Sequence, residues 1–256
     1  MHGGPVEHRA YELTAKVEDV HWWWSGRRAI LRDILRALYA RGDMPTGPVL
    51  DLGCGVGANL EMLSEFGTAI GYDGSPQAIE HAKQLGRTGV RYADLSKGEH
   101  ALDDVESGSA AVVVFADVLE HLPDERPAMA LALRLLAPGG ALVVTVPALP
   151  MLWGTSDVFN HHHRRYTRSM LRAAITSRFE IDRLSYFNTW LFPPISVIRV
   201  LSRLASRPGE EEIGLPPRPV NALMRAIFSS ERHVLARTDL PIGVSLLCVA
   251  RKPRPA

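Results

Sequence analysis

The chain has 256 residues, a net charge of +1, 46% hydrophobic and 22% charged residues. That leaves room for one large domain, or a domain with an insertion, in the balance of a soluble globular protein. No block of basic residues marks a nucleic-acid face, and the two cysteines, Cys54 and Cys248, form no spaced motif, which fits a reducing compartment.

The opening "MHGGPVEHRAYE" lacks the apolar core of a signal peptide. The apolar runs near residue 190 are broken by Pro193, Pro194 and Arg199, so no spanning helix is expected and the expected location is the cytoplasm. Residues 28–40 read as an amphipathic helix. Ile30, Leu31, Ile34, Leu35 and Leu38 share one face, and Arg28, Arg32 and Arg36 recur on another. Pro45 and Pro48 end it, and "VLDLGCG" then reads as a short buried strand running into glycines. A helix is expected over 57–66 and a strand at "TAIGYD". The helix "SPQAIEHAKQLG" follows, with Ser75 as cap, Pro76 at the first helical position and Gly86 as stop.

"VRYAD" is a third strand, and "AAVVVFAD" is apolar enough to lie mid-sheet. "DERPAMALALRLLAPGG" predicts a helix ended by Pro-Gly-Gly, and "ALVVTVP" a fifth strand. Parallel strands need crossover connections, so the alternation over 48–147 predicts a doubly wound α/β sheet. A loop, a helix near 168–177 and the strands "FEIDRLSYF" and "IGVSLLCVAR" complete seven strands, the last antiparallel. Residues 188–241 are far more than a hairpin needs and predict a helical insertion. The expected single domain thus has a helical cap at 1–45 and a Rossmann-like core at 46–186 carrying a substrate loop at 148–167. An insertion or lid at 187–240 and a last strand with its tail at 241–256 follow.

"VLDLGCGVGANL" sets Gly53, Gly55 and Gly57 between a strand and a helix. Glycines let the backbone turn tightly and approach a ligand, and the helix N-terminus offers free N–H donors. The turn fits G-x-G-x-x-A, and Asp73 follows where an acidic residue would bind a ribose, so a dinucleotide and S-adenosylmethionine both compete for it. Asp51, just before the glycines, would repel a diphosphate and favour a cationic ammonium and sulfonium.

With "VLDLGCGVGANL", "GYDGSPQAIEHA", "YADL", "VVVFADVLEHLPD" and "LLAPGGALVVTVP" in that order, residues 48–147 resemble the class I S-adenosylmethionine-dependent methyltransferases. The resemblance implies that Asp51 and the turn Gly53-Cys54-Gly55 hold the methionine end. It puts both ribose hydroxyls on Asp73 and passes Gly74 and Ser75 beside the adenine. Asp94 and the Leu95 N–H would receive the adenine edge, and Ala116 and Asp117 would lie beneath the sulfonium. Helix capping or turn formation is the competing role for the acidic residues, most of all for Asp94 and Asp117.

"VHWWWSGRRAIL" precedes the core, where such enzymes often carry a helix closing over the cofactor. Three adjacent tryptophans cannot face one direction, so at least one, with Trp24 as the candidate, should cover cofactor or substrate. Arg27 or Arg28 could pair with the methionine carboxylate, with a solvated surface role as the alternative.

"SDVFNHHHRRYT" lies past the fifth strand, at the edge where open α/β sheets bind ligands. Its three histidines invite a metal, but neighbours in an extended segment point to opposite faces and no cysteine or carboxylate with ligand spacing lies nearby, so no metal is expected. The segment His162 to Thr167 also resembles the "H-x-R-R-Y-T" element of a bacterial methyltransferase subgroup. Trp153, Arg164, Arg165 and Tyr166 are the substrate-binding candidates, and Thr167 should cap the next helix. For a hydroxyl acceptor, His121 and His162 are the candidate bases. For a carboxylate acceptor, the arginines would form a bidentate fork.

The insertion holds a helical pattern of Ile195, Ile198, Val200, Leu201 and Leu204, with Arg199, Arg203 and Arg207 recurring on it. Packing or lid formation is expected ahead of peripheral membrane contact. The expected function is methyl transfer from S-adenosylmethionine to a small, amphipathic, hydrophobic or lipid-linked molecule, at a hydroxyl or carboxylate. An NAD(P)-dependent oxidoreductase and a non-catalytic S-adenosylmethionine-binding protein are the rivals.

Overall fold

A computed structural model describes residues 17–176, 178–204 and 214–254. The expectations for 1–16, for Arg207 and for the side chains of Val200, Arg203 and Leu204 fall outside them.

Seven strands form one sheet in the order β3-β2-β1-β4-β5-β7-β6. They are β1 (Val49–Leu52), β2 (Ala69–Asp73), β3 (Val90–Tyr92), β4 (Ala110–Ala116), β5 (Leu136–Pro147), β6 (Glu180–Phe187) and β7 (Ser245–Arg251). β1 to β5 pair in parallel. β7 runs antiparallel between β5 and β6. This is the predicted doubly wound sheet. The antiparallel strand also separates it from the 3-2-1-4-5-6 order of dinucleotide folds. All seven residues of β4 are buried, as an apolar run in mid-sheet requires.

The helices are α1 (Trp22–Ala40), α2 (Leu60–Leu63), α3 (Pro76–Gln84), α4 (Arg126–Leu135), α5 (Thr155–Phe159), α6 (Arg168–Thr176), α7 (Phe192–Leu204) and α8 (Arg218–Leu235). Three differ from expectation. α1 starts at Trp22, because His21 Nδ1 accepts from Trp23 N at 3.2 Å and caps it there. α2 is one turn long, since the Asn59 side chain at its start is bonded to Asp51 and makes no cap. α4 stops at Leu135, and Pro138-Gly139-Gly140 lie inside β5. There Leu136 already pairs with Ala110, and a register shift before Val112 absorbs the irregularity.

One face of the sheet packs on α4 and α6 through residues such as Phe115, Leu131, Leu135 and Leu171. The other packs on α1 and α8. The second half of the insertion is therefore part of the core. Phe228 of α8 is fully buried and stacks on Trp23 with ring centroids 5.1 Å apart. A Cβ on Gly26 of α1 would stand 2.4 Å from that ring, so only glycine allows the approach. Asn221 Oδ1 accepts from Trp22 N at 2.8 Å, tying the two helices end to end. Phe228→Ala should destabilise the protein by about 3–5 kcal/mol, the usual range for emptying a buried aromatic site; urea denaturation measures it. No described helix is long and apolar enough to cross a membrane.

Candidate active site

A cavity of about 1100 Å³ opens at the C-terminal ends of β1 and β4, where the strand order reverses. Its floor is the glycine turn. Gly53 and Cys54 donate their N–H groups to Tyr72 O at 2.7 and 3.1 Å, pinning the turn to β2. Gly53 has φ +77°, and a Cβ there would meet Val118 Cγ2 at 2.6 Å, so the position demands glycine twice over. Asp73 closes the turn: its carboxylate accepts from Gly55 N and Ser75 N, each at 2.8 Å. Gly74 and Ser75 line the cavity beside it, and Ser75 caps α3 through Ala78 N.

Asp51 sits one layer lower than expected. It is fully buried, does not line the cavity, and accepts from Asn59 Nδ2 at 3.0 Å. Burial holds its carboxyl up at about 6. Asn59, its partner, does line the cavity. Asp94 lines the opposite end with Leu95, and its Oδ1 also accepts from Ser96 N at 3.0 Å, so it is cap and cavity wall at once. Ala116 and Asp117 line the floor; Asp117 takes φ +59° and bonds Thr145 Oγ1 at 2.9 Å and the Arg27 guanidinium.

α1 forms one wall. Trp22, Trp23 and Trp24 all reach the cavity, the first two also packing on Phe228. Arg27 is taken by Asp117 and Ala116 O. Arg28 donates Nη2 to Glu18 O and Asp19 O at 3.0 and 2.9 Å, while its Nη1 is buried and lacks a partner among the described residues. Glu18 is buried beside it, and burial lifts its carboxyl to about 7. An orphaned cationic nitrogen suits the methionine carboxylate, and the glycine turn and Asp73 suit a nucleoside. The residues present thus fit S-adenosylmethionine.

The far end is built from the segments after β4 and β5. His121 and His162 stand edge to face with centroids 4.7 Å apart. Burial, then His162, depresses His121 to about 4, so it is a neutral imidazole. His162 Nδ1 lies 3.0 Å from Asp157 Oδ1. Asp157, almost fully buried, also receives Arg165 Nε at 2.8 Å, Gly154 N at 2.8 Å and Arg199 Nη1 of α7 at 2.9 Å. Neither Asp157 nor Arg199 stood out as a site residue in the sequence. Glu120 was missed as well, although "LEH" put it beside a candidate base.

Arg165 reaches the cavity but is tied to Asp157 and Ala148 O. Trp153, Arg164 and Tyr166 are not cavity-lining residues. Arg164 pairs with Glu125 and the Leu122 carbonyl, and Tyr166 OH donates to Leu119 O at 3.2 Å. The last two anchor the loop across the sheet edge. Thr167 Oγ1 caps α6 by accepting from Met170 N at 3.1 Å.

A family model described as a methyltransferase domain matches residues 23–188. A 37.1 kDa protein of transposon TN4556 from Streptomyces fradiae is 30% identical over 87% of this chain, which spans 66% of that protein's length. A ubiquinone biosynthesis O-methyltransferase from Thiobacillus denitrificans is 25% identical over 90% of this chain and 96% of its own. The crystal structure of a S-adenosylmethionine-dependent methyltransferase from Archaeoglobus fulgidus superposes with a TM-score of 0.54 at 19% identity, covering 88% of this chain and 94% of that one. The sheet order, the glycine turn and the matched family model together make this chain a member of the S-adenosylmethionine-dependent methyltransferase family.

Proposed function

We propose that this protein methylates a hydroxyl oxygen of a small molecule with an apolar body. The carrying observation is the His121–His162 pair at the far end of the cavity, with Asp157 holding one face of His162. S-adenosylmethionine, when bound, supplies a methyl group made electrophilic by its sulfonium. The glycine turn and Asp73 hold the nucleoside, Asn59 and Arg28 the methionine end, and the tryptophans of α1 exclude water. The imidazole pair meets the acceptor hydroxyl and promotes loss of its proton.

A carboxylate acceptor would need a free arginine fork. Arg164 and Arg165 are both committed to carboxylates of the protein, which favours the hydroxyl. Trp24, Phe159, Ile195 and Val244 give the cavity apolar walls. The name of the Thiobacillus relative supports the same reaction type.

The test uses methyl-labelled S-adenosylmethionine and fractionated organic extracts as acceptors. Label should enter extractable material and resist mild alkali, as a methyl ether does. Label released by alkali identifies an ester and a carboxylate acceptor; acid-extractable basic label identifies an amine. Either outcome overturns the hydroxyl reading.

A further inference from the structure

Asn188 directly follows β6, is 1% exposed and takes φ +57°. Its backbone is held on both sides. The carbonyl accepts from Val244 N at 3.3 Å. Glu231 of α8, fully buried, receives the main-chain N–H groups of Asn188, Thr189 and Trp190, the last two at 2.6 and 2.8 Å. A buried carboxylate is thus committed to fixing one turn. The side chain which that turn presents has no partner: neither Oδ1 nor Nδ2 of Asn188 makes a hydrogen bond among the described residues. An amide that is desolvated and unpaired is unfavourable until something binds it.

Asn188 borders the cavity together with Pro147, Val244 and Ser245. Ser245 pairs with both Pro147 and Phe187 across the sheet, so the four residues form one end of the cavity. Trp23, stacked on Phe187, and Ile195 add apolar walls there. This end lies away from the glycine turn. In the order β4-β5-β7-β6, β6 is three strands from β4, about 14 Å across the sheet.

We propose that Asn188 is a specificity residue for the acceptor, and that its amide receives a neutral polar group with one donor and one acceptor, such as a carboxamide, carried at the opposite end of the acceptor's apolar body from the methylated hydroxyl. A side-chain amide offers an acceptor oxygen and a donor nitrogen side by side, which is the complement of such a group. A charged group would stay uncompensated, because Glu231 is already engaged by the main chain. The acceptor is therefore polar at both ends and apolar between. That substrate class rests on the proposed hydroxyl methylation; the recognition of a polar group by Asn188 does not. The left-handed turn alone does not call for an amide, since glycine serves that backbone as well.

The test is calorimetric titration of protein loaded with S-adenosylhomocysteine, using para-alkylphenols of increasing chain length ended by a carboxamide, an ammonium or a methyl group. The best carboxamide should bind about tenfold or more tighter than its methyl-ended counterpart, as two added hydrogen bonds would give. Asn188→Gly keeps the turn and should erase that preference, with the methyl-ended phenol and S-adenosylhomocysteine bound as before. Asn188→Asp also tolerates the left-handed conformation but offers acceptors only. It should lose the carboxamide preference and favour the ammonium-ended phenol, and it keeps the test valid if the glycine variant fails to fold. No preference in the wild type, no binding of any phenol, or a preference that survives both substitutions overturns the proposal. So does equal weakening of all three phenols in both variants, which would give Asn188 a structural role alone. Labelled methyl entering the carboxamide- and methyl-ended phenols with equal kcat/KM refutes the polar end and leaves hydroxyl methylation intact. A carboxamide preference without methyl transfer to any phenol supports the polar end and counts against that reading.

Discussion

Asp73→Ala is expected to weaken S-adenosylhomocysteine binding by about 100-fold or more, the loss of two charge-assisted hydrogen bonds worth ~1.5–3 kcal/mol each. Asp73 is 7% exposed at the end of β2, and its two oxygens each hold one main-chain N–H. Each carboxylate oxygen can accept a second bond, so the residue has the capacity to hold the turn and a ribose diol together. Removing it strands the Gly55 and Ser75 donors as well as the ligand's hydroxyls. Asp73→Asn separates the two roles: its amide retains one acceptor but points a donor at an N–H, and should lose roughly tenfold in affinity. Calorimetric titration measures both. Affinity of the alanine variant within threefold of the wild type would remove Asp73 from the cofactor site.

His162→Ala should lower kcat by about 100- to 1000-fold, the range for losing a group that handles a proton in the rate-determining step, with S-adenosylhomocysteine affinity almost unchanged. The separation is possible because the loop does not depend on this imidazole. Asp157 keeps Arg165, Arg199 and the Gly154 N–H when His162 is gone. Arg164 still spans to Glu125 and Tyr166 to the Leu119 carbonyl. Turnover is to be measured with the acceptor found by methyl labelling, beside cofactor titration of the same preparation. Lost cofactor affinity would assign His162 to the nucleoside side; unchanged turnover would leave it no part in the chemistry.

The glycine-turn half of the cavity was legible as local structure because its information is local. A glycine at Gly53, a carboxylate at Asp73 and a cap at Ser75 are each required by the conformation of their own short segment, and they fall on consecutive strand–helix turns. One placement there differs from the expectation. Asp51 lies just before the turn, but its carboxylate is bonded to Asn59 and does not line the cavity. The acceptor half was read as a string of residues, "HHHRRYT", and only part of it faces the cavity. Which arginine stays free depends on where carboxylates wait, and Glu125 across the sheet edge and Asp157 within the same loop take Arg164 and Arg165.

By itself, then, the sequence determined the alternating sheet and the strand-to-glycine turn, since backbone periodicity and turn stereochemistry are written in consecutive residues. Only the tertiary structure decided that α8 is a core helix and that the arginines of the loop are spent. It alone brought His121 and Glu120 up against His162. The meeting of these three residues follows from β4 and β5 lying side by side, so that the loops at their ends meet, and distances across a sheet are set by packing rather than by any spacing along the chain.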